Sequence, residues 1–175
     1  MPFSEYLAPE ADADMSKITP PYYATKPGFQ FDLSCIMKDK RPMMVAINDV
    51  SEHAAFKENS VLDPAQADAL LGSLNHSLSL IQGPPGTGKS FTGVALVKVL
   101  PAVRSRARMG PIFCVCYTNH TLDQLLEDLV RNDVDQIVRI GSQSKSEMLQ
   151  NCNLRVLARN NNRTRTEKQE HCNAK

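Results

Sequence analysis

Gly83-Pro84-Pro85-Gly86-Thr87-Gly88-Lys89-Ser90 follows the spacing G-x-x-x-x-G-K-[ST], which lets a backbone wrap the phosphates of a nucleotide. Glycines bend such a loop so that successive N–H groups converge on the α- and β-phosphates, and the positive end of a following helix adds to the attraction. Lys89 then reaches the β- and γ-phosphates and is the candidate catalytic residue. The Ser90 hydroxyl is the candidate ligand of Mg2+, a hard cation that takes oxygen donors and stays partly hydrated. The implied chemistry is the binding of ATP, or a related triphosphate, with Mg2+. The bland alternative is a glycine-rich turn that binds nothing.

That loop needs a strand before it and a helix after it. Residues 77–82 alternate and are apolar, as a strand would be, and residues 90–100 form a helix-length apolar run that Pro101 is expected to stop. Upstream, Asp63-Pro64-Ala65-Gln66 reads as a helix start, with Asp as N-cap, Pro first and Gln third. Ala67, Leu70, Leu71 and Leu74 follow at helical spacing. Spacing alone gives Gln66 the role of a capping-box partner ahead of any ligand role.

Two further strands are predicted at 112–117 and 137–140, the second closed by Gly141. Between them Thr118-Asn119-His120 leads into a helix whose Leu122, Leu125, Leu126, Leu129 and Val130 share a face, opposite Asp123, Gln124, Glu127 and Asp128. Strand, helix, strand, helix, strand with crossovers of this length implies right-handed βαβ units and a parallel sheet. Cys114 and Cys116 would share one face of the middle strand as buried core thiols.

The whole chain sets limits. At 175 residues it is long enough for one domain with a real core, but not for the two motor domains a nucleic-acid translocase places around its ATP. A net charge of +1 leaves any nucleic-acid contact to local patches. The basic stretches 38–42 and 104–108 could be such patches, though a solvated turn or linker is the favoured reading of each. Five cysteines without a C-x-x-C pair fit neither a disulfide framework nor a zinc finger, which favours an intracellular setting, cytoplasmic or nuclear. Cys152, His171 and Cys172 are too scattered to form a metal site. No apolar run is long enough to span a membrane, and no signal peptide is predicted.

The expected organisation is an extended, proline-bearing lead at 1–27, a small β-hairpin segment at 28–60, an incomplete P-loop domain at 61–145 and a polar tail at 146–175. A charged, helix-like stretch at 163–170 belongs to that tail.

Three blocks in order, LDPAQADAL at 62–70, LIQGPPGTGKS at 80–90 and CYTNHTLDQLLEDL at 116–129, resemble the Q motif, motif I and motif Ia of superfamily 1 helicases. The wording resembles the branch that contains the nonsense-mediated-decay helicase, and most closely the NF-X-type zinc-finger helicases of fungi. IVRIGSQSK at 137–145 is similar to the segment after motif Ia in those proteins. The resemblance implies a RecA-like, three-layer α/β fold with a parallel sheet, preceded by a small β-rich segment. It also implies that Gln66 contacts the adenine edge. Residues 83–90 would hold phosphate and Mg2+, and Thr118, Asn119 and His120 would meet the backbone of single-stranded RNA or DNA. Their alternative role is to cap the helix that follows.

Hydrolysis in such motors needs an Asp at the end of an apolar strand to fix Mg2+ and a neighbouring Glu to orient water. The readable strands end at Gln82, Tyr117 and Gly141 and carry no such pair. The chain is therefore expected to be an N-terminal slice of a helicase that binds ATP, with turnover and unwinding doubtful for it alone. A second reading, from a different class, is a non-enzymatic interaction module or pseudo-NTPase. Its half-finished sheet would dock on the remainder of a motor, on another protein or on another copy.

Overall fold

In the computed structural model, residues 19–46, 49–107, 109–142 and 144–160 are described. The predicted charged stretch at 163–170, His171, Cys172 and most of the proline-bearing lead lie outside them. The chain divides into two compact units, Met1–Phe113 and Cys114–Lys175.

The first unit grows from aromatic packing. A 3-10 turn, Tyr22–Thr25, buries Ala24 and delivers Tyr23 to Phe29 and Phe31, with ring centroids 5.9 and 6.4 Å away. Strand β1 (Gln30–Asp32) pairs antiparallel with β2 (Met44–Ala46), setting Phe31 opposite Val45. Alternate strand residues share a face, so these two turn inward together. Helix α1 (Val50–Asn59) starts where the Asp49 carboxylate accepts the amides of Ser51 and Glu52, and it buries Phe56.

Helix α2 (Pro64–Asn75) begins with the expected chemistry. Asp63 Oδ1 accepts the Gln66 amide at 2.8 Å, and Gln66 Oε1 accepts the Asp63 amide at 3.2 Å. Its Ala67, Leu70, Leu71 and Leu74 are buried with Phe31, Val45 and Phe56 in one cluster. The hairpin segment and the helices thus share a core, with no break at the 60/61 boundary drawn from the sequence.

Helix α3 (Lys89–Ala107) corrects one expectation, because it runs through Pro101. Proline forfeits an N–H and crowds the preceding turn, at about 3 kcal/mol in a helix interior. Beyond it Val103 is fully buried in the same cluster as Val99. That burial contributes about 1.5–3 kcal/mol, and continuing the helix is what brings it about.

The second unit holds α4 (Asn119–Arg131), whose Leu126 and Leu129 are buried as the apolar spacing requires. It stops where the Asn132 amide bonds back to Leu129 and Val130 and Asp133 turns left-handed at φ 63°. A 3-10 turn (Gln150–Cys152) and a short helix α5 (Leu154–Asn160) follow.

The expected parallel sheet is not formed among the described residues. Segments 77–82 and 112–117 carry no ladder, and 137–140 contributes a single parallel bridge, Arg139 to Asn153. Parallel strands receive their hydrogen bonds only from neighbours reached by long crossovers, and here those neighbours are not paired. The apolar side chains face solvent instead: Phe113 is 80 %, Val115 91 % and Tyr117 104 % exposed. Cys114 and Cys116 alternate with them but are only half-buried, not core thiols.

Candidate functional site

The loop at 83–90 is shaped by two left-handed glycines, Gly86 at φ 85° and Gly88 at φ 74°, a region that side-chain-bearing residues enter only with strain. Pro84 and Pro85 lie between Gly83 and that bend and are exposed. Thr87 Oγ1 donates to the Pro84 carbonyl at 2.9 Å, and a β-carbon at Gly83 would stand 2.9 Å from that same hydroxyl. The Lys89 ammonium turns back into the loop, donating to the Gly83 carbonyl at 2.8 Å and the Pro84 carbonyl at 2.7 Å. Gln66 Nε2 donates to the Thr87 carbonyl at 3.3 Å. One end of the Gln66 amide thus caps α2, and the other holds the loop.

Pro85 and Gly86 form a turn that brings the Thr87 amide back toward the Pro84 carbonyl, while among the described residues no acceptor takes the amides of Gly86 or Gly88. They precede the first turn of α3, where a helix presents further unpaired N–H groups and the positive end of its dipole. Thr92 closes that turn, its amide reaching the Gly88 carbonyl at 2.9 Å. Ser90 is exposed in the first turn. Free amides, a helix start and an ammonium converging on one loop can grip an anion, so these residues fit a phosphate-bearing ligand. Among the described residues no group of three or more His, Cys, Asp or Glu side chains is placed to hold a metal ion.

The second unit carries the other predicted site residues on one helical turn. Thr118 caps α4: its Oγ1 accepts the Thr121 amide at 3.1 Å and lies 2.9 Å from Thr121 Oγ1. Asn119 and His120 are exposed in the first turn, and Asn119 Oδ1 accepts from Arg139 Nη2 at 3.5 Å. Arg139 Nε donates to Asp123 Oδ1 at 2.6 Å, while Ser144 Oγ donates to Asp123 Oδ2 at 2.8 Å. Desolvation pushes the Asp123 carboxyl upward. The hydrogen bonds from Ser144 and Arg139, with the charges of Arg139 and His120, outweigh it and hold the group below its ordinary range.

Arg139, Asp123 and Ser144 are the residues that sequence reasoning missed. The available signal was an arginine inside the apolar run Ile137-Val138-Arg139-Ile140, where a charge requires a partner. Sequence spacing does not reveal that the partner is a carboxylate on the preceding helix.

No helix among the described residues is long and apolar enough to cross a membrane. The AAA domain family matches residues 61–175. The chain is 44 % identical over 105 residues to NFX1-type zinc finger-containing protein 1 of Homo sapiens, a match covering 58 % of this chain and 6 % of that protein. It is 39 % identical over 85 residues to the helicase required for RNAi-mediated heterochromatin assembly 1 of Schizosaccharomyces pombe, covering 49 % of this chain and 8 % of that protein. With ATP-dependent helicase upf1 of the same yeast it shares 36 % over 89 residues, 50 % of this chain and 10 % of that protein. The chain therefore spans only a small part of the length of these relatives. No solved structure matches it. A family match running from just ahead of α2 to the last residue, together with relatives named as helicases, means that the chain belongs to the AAA domain family, in its superfamily 1 helicase branch.

Proposed function

We propose that this chain is the ATP-binding part of an ATP-dependent RNA or DNA helicase. Residues 83–90 would grip the triphosphate, Ser90 would ligate Mg2+, and Gln66 would meet the adenine edge. The observation that carries the reading is the pair of unengaged amides at Gly86 and Gly88, ahead of α3 and beside the Lys89 ammonium. Lys89 rests on two neutral carbonyls; the full negative charge of a phosphate oxygen attracts an ammonium more strongly than a carbonyl dipole does, so an anion competes well for it. Mg2+ held by Ser90 would supply charge neutralisation to the triphosphate. Thr118, Asn119 and His120 would take the backbone of single-stranded nucleic acid. Among the described residues no strand ends in an Asp-Glu pair that could orient water, so the reading is binding without turnover by these 175 residues.

The test is Mg2+-dependent binding of a fluorescent ATP analogue to the purified chain. Micromolar-range affinity abolished by Lys89→Ala is expected. No affinity, or affinity unchanged by Lys89→Ala, refutes the assignment; turnover sensitive to Lys89→Ala refutes the binding-only part.

A second reading is an interaction module, favoured by the solvent-facing Phe113, Val115 and Tyr117. Unpaired backbone beside such side chains can add as a strand to a partner's sheet edge. A monodisperse monomer over a wide concentration range in sedimentation experiments counts against self-docking, and a concentration-dependent dimer weakened by Val115→Lys supports it.

A further inference from the structure

Arg139 is the largest fully buried side chain among the described residues, at 1 % exposure. A charge is held away from water only when it is paired and hydrogen-bonded, and Arg139 spends its guanidinium on three acceptors. Nε meets Asp123 Oδ1 at 2.6 Å, Nη1 donates to the Ser142 carbonyl, and Nη2 reaches Asn119 Oδ1 at 3.5 Å. Its backbone is engaged as well: the Arg139 amide donates to the Cys152 carbonyl at 2.8 Å, and its carbonyl accepts the Leu154 amide at 3.0 Å. Asp123 stands one turn after Asn119 on α4, so the short ion pair fixes the helix start and the longer contact orients Asn119 itself. Gly141 fits closely beside this fork, since a β-carbon there would lie 2.9 Å from Asn119 Oδ1 and 3.4 Å from Arg139 Nη1.

Stability alone is a poor explanation for such a group. A buried ion pair is often no more stabilising than an apolar replacement, whereas a planar fork with three fixed acceptors defines orientation. We infer that Arg139 is a positioning residue: it holds the Thr118, Asn119 and His120 turn in the geometry that engages single-stranded nucleic acid, without touching the nucleic acid. This rests on the reading of that turn given under Proposed function.

The test uses the 175-residue chain and a fluorescein-labelled oligouridine, followed by anisotropy across a salt series. Arg139→Lys keeps the charge but cannot span three acceptors, so affinity should fall about ten-fold. The slope of log affinity against log salt should not change, because no phosphate contact is lost. Mg2+-dependent binding of the ATP analogue should also be unchanged. In the Asn119→Ala background, adding Arg139→Lys should cost little more, since the two act through one another. If Asn119→Ala leaves oligouridine affinity intact, the contact reading fails and this inference with it. If Asn119→Ala weakens binding but folded Arg139→Lys binds like the parent chain, the positioning role alone is overturned. A flattened salt slope for Arg139→Lys overturns it too, by making Arg139 a direct phosphate contact. Should circular dichroism show Arg139→Lys unfolded, Asp123→Asn takes its place with the same expected loss, and parent-like binding by that variant overturns the proposal.

Discussion

Gln66 and Gly88 approach so closely that a β-carbon on residue 88 would stand 2.3 Å from Gln66 Nε2. The contact joins the start of α2 to the loop at 83–90, and it exists because residue 88 has no side chain. Gly88→Ala therefore meets two penalties. The left-handed backbone at φ 74° costs an alanine about 1–2 kcal/mol. The Gln66 amide must also swing off the Thr87 carbonyl to make room. Urea unfolding should register a loss of about 1–2 kcal/mol, and binding of the ATP analogue should weaken more than stability does. An unchanged urea midpoint would mean that the loop relaxes freely at this point.

Asp63→Ala separates the two jobs of Gln66. The substitution removes the carboxylate that accepts the Gln66 amide and leaves the Gln66 side chain in place. Loss of such a cap costs about 1 kcal/mol. The expected result is a urea midpoint lowered by that amount with analogue affinity within about two-fold of the parent, since residues 83–90 are untouched. A large loss of affinity would show instead that the cap holds Gln66 in its ligand-facing position.

The start of α2 and the face of α4 could be read from the sequence because their causes are local. Asp63, Pro64 and Gln66 carry their capping chemistry within one turn, and the leucines of α4 repeat at the helical period. The bend of the loop at 83–90 is legible for the same reason, since Gly86 and Gly88 mark it in the sequence. What was not legible depends on distant residues. Whether 112–117 forms a ladder depends on neighbours elsewhere in the chain, and alternation does not supply them. Arg139 lies inside an apolar run, and its partner Asp123 stands sixteen positions earlier, beyond the reach of local spacing. Local rules predict a stop at Pro101, an expectation overridden by a helix that continues far enough to bury Val103.

That override can be measured. Pro101 is exposed on α3, so Pro101→Ala fills no occupied space. The alanine regains the N–H that the Val97 carbonyl lacks and removes the ring clash, while it gives back some unfolded-chain entropy. The balance should stabilise the chain by about 2 kcal/mol in urea or thermal melts. Destabilisation would mean that α3 needs a bend at this position in order to bury Val103.

The Asp123 and Arg139 pair predicts an acid dependence with a definite sign. The carboxyl is held below its ordinary value of about 3.9, so the folded chain binds this proton less readily than the unfolded chain does. Its contribution to stability is therefore complete above about pH 4 and is lost as pH falls through the lower folded value. The groups acting on it are Ser144, Arg139 and His120. Asp49, also held low by the Ser51 hydroxyl and the Glu52 amide, shifts the acid limb in the same direction. The comparison must therefore be between the parent chain and Asp123→Asn, in which Asp49 is constant. At neutral pH the variant should be less stable by about 2 kcal/mol, the worth of a hydrogen bond to a charged partner. The gap should narrow as the pH is taken below about 4 in urea titrations followed by circular dichroism. Parallel curves for the two proteins down to the acid limit would show that Asp123 titrates alike in the folded and unfolded chains, and that the ion pair with Arg139 does not act on its carboxylate.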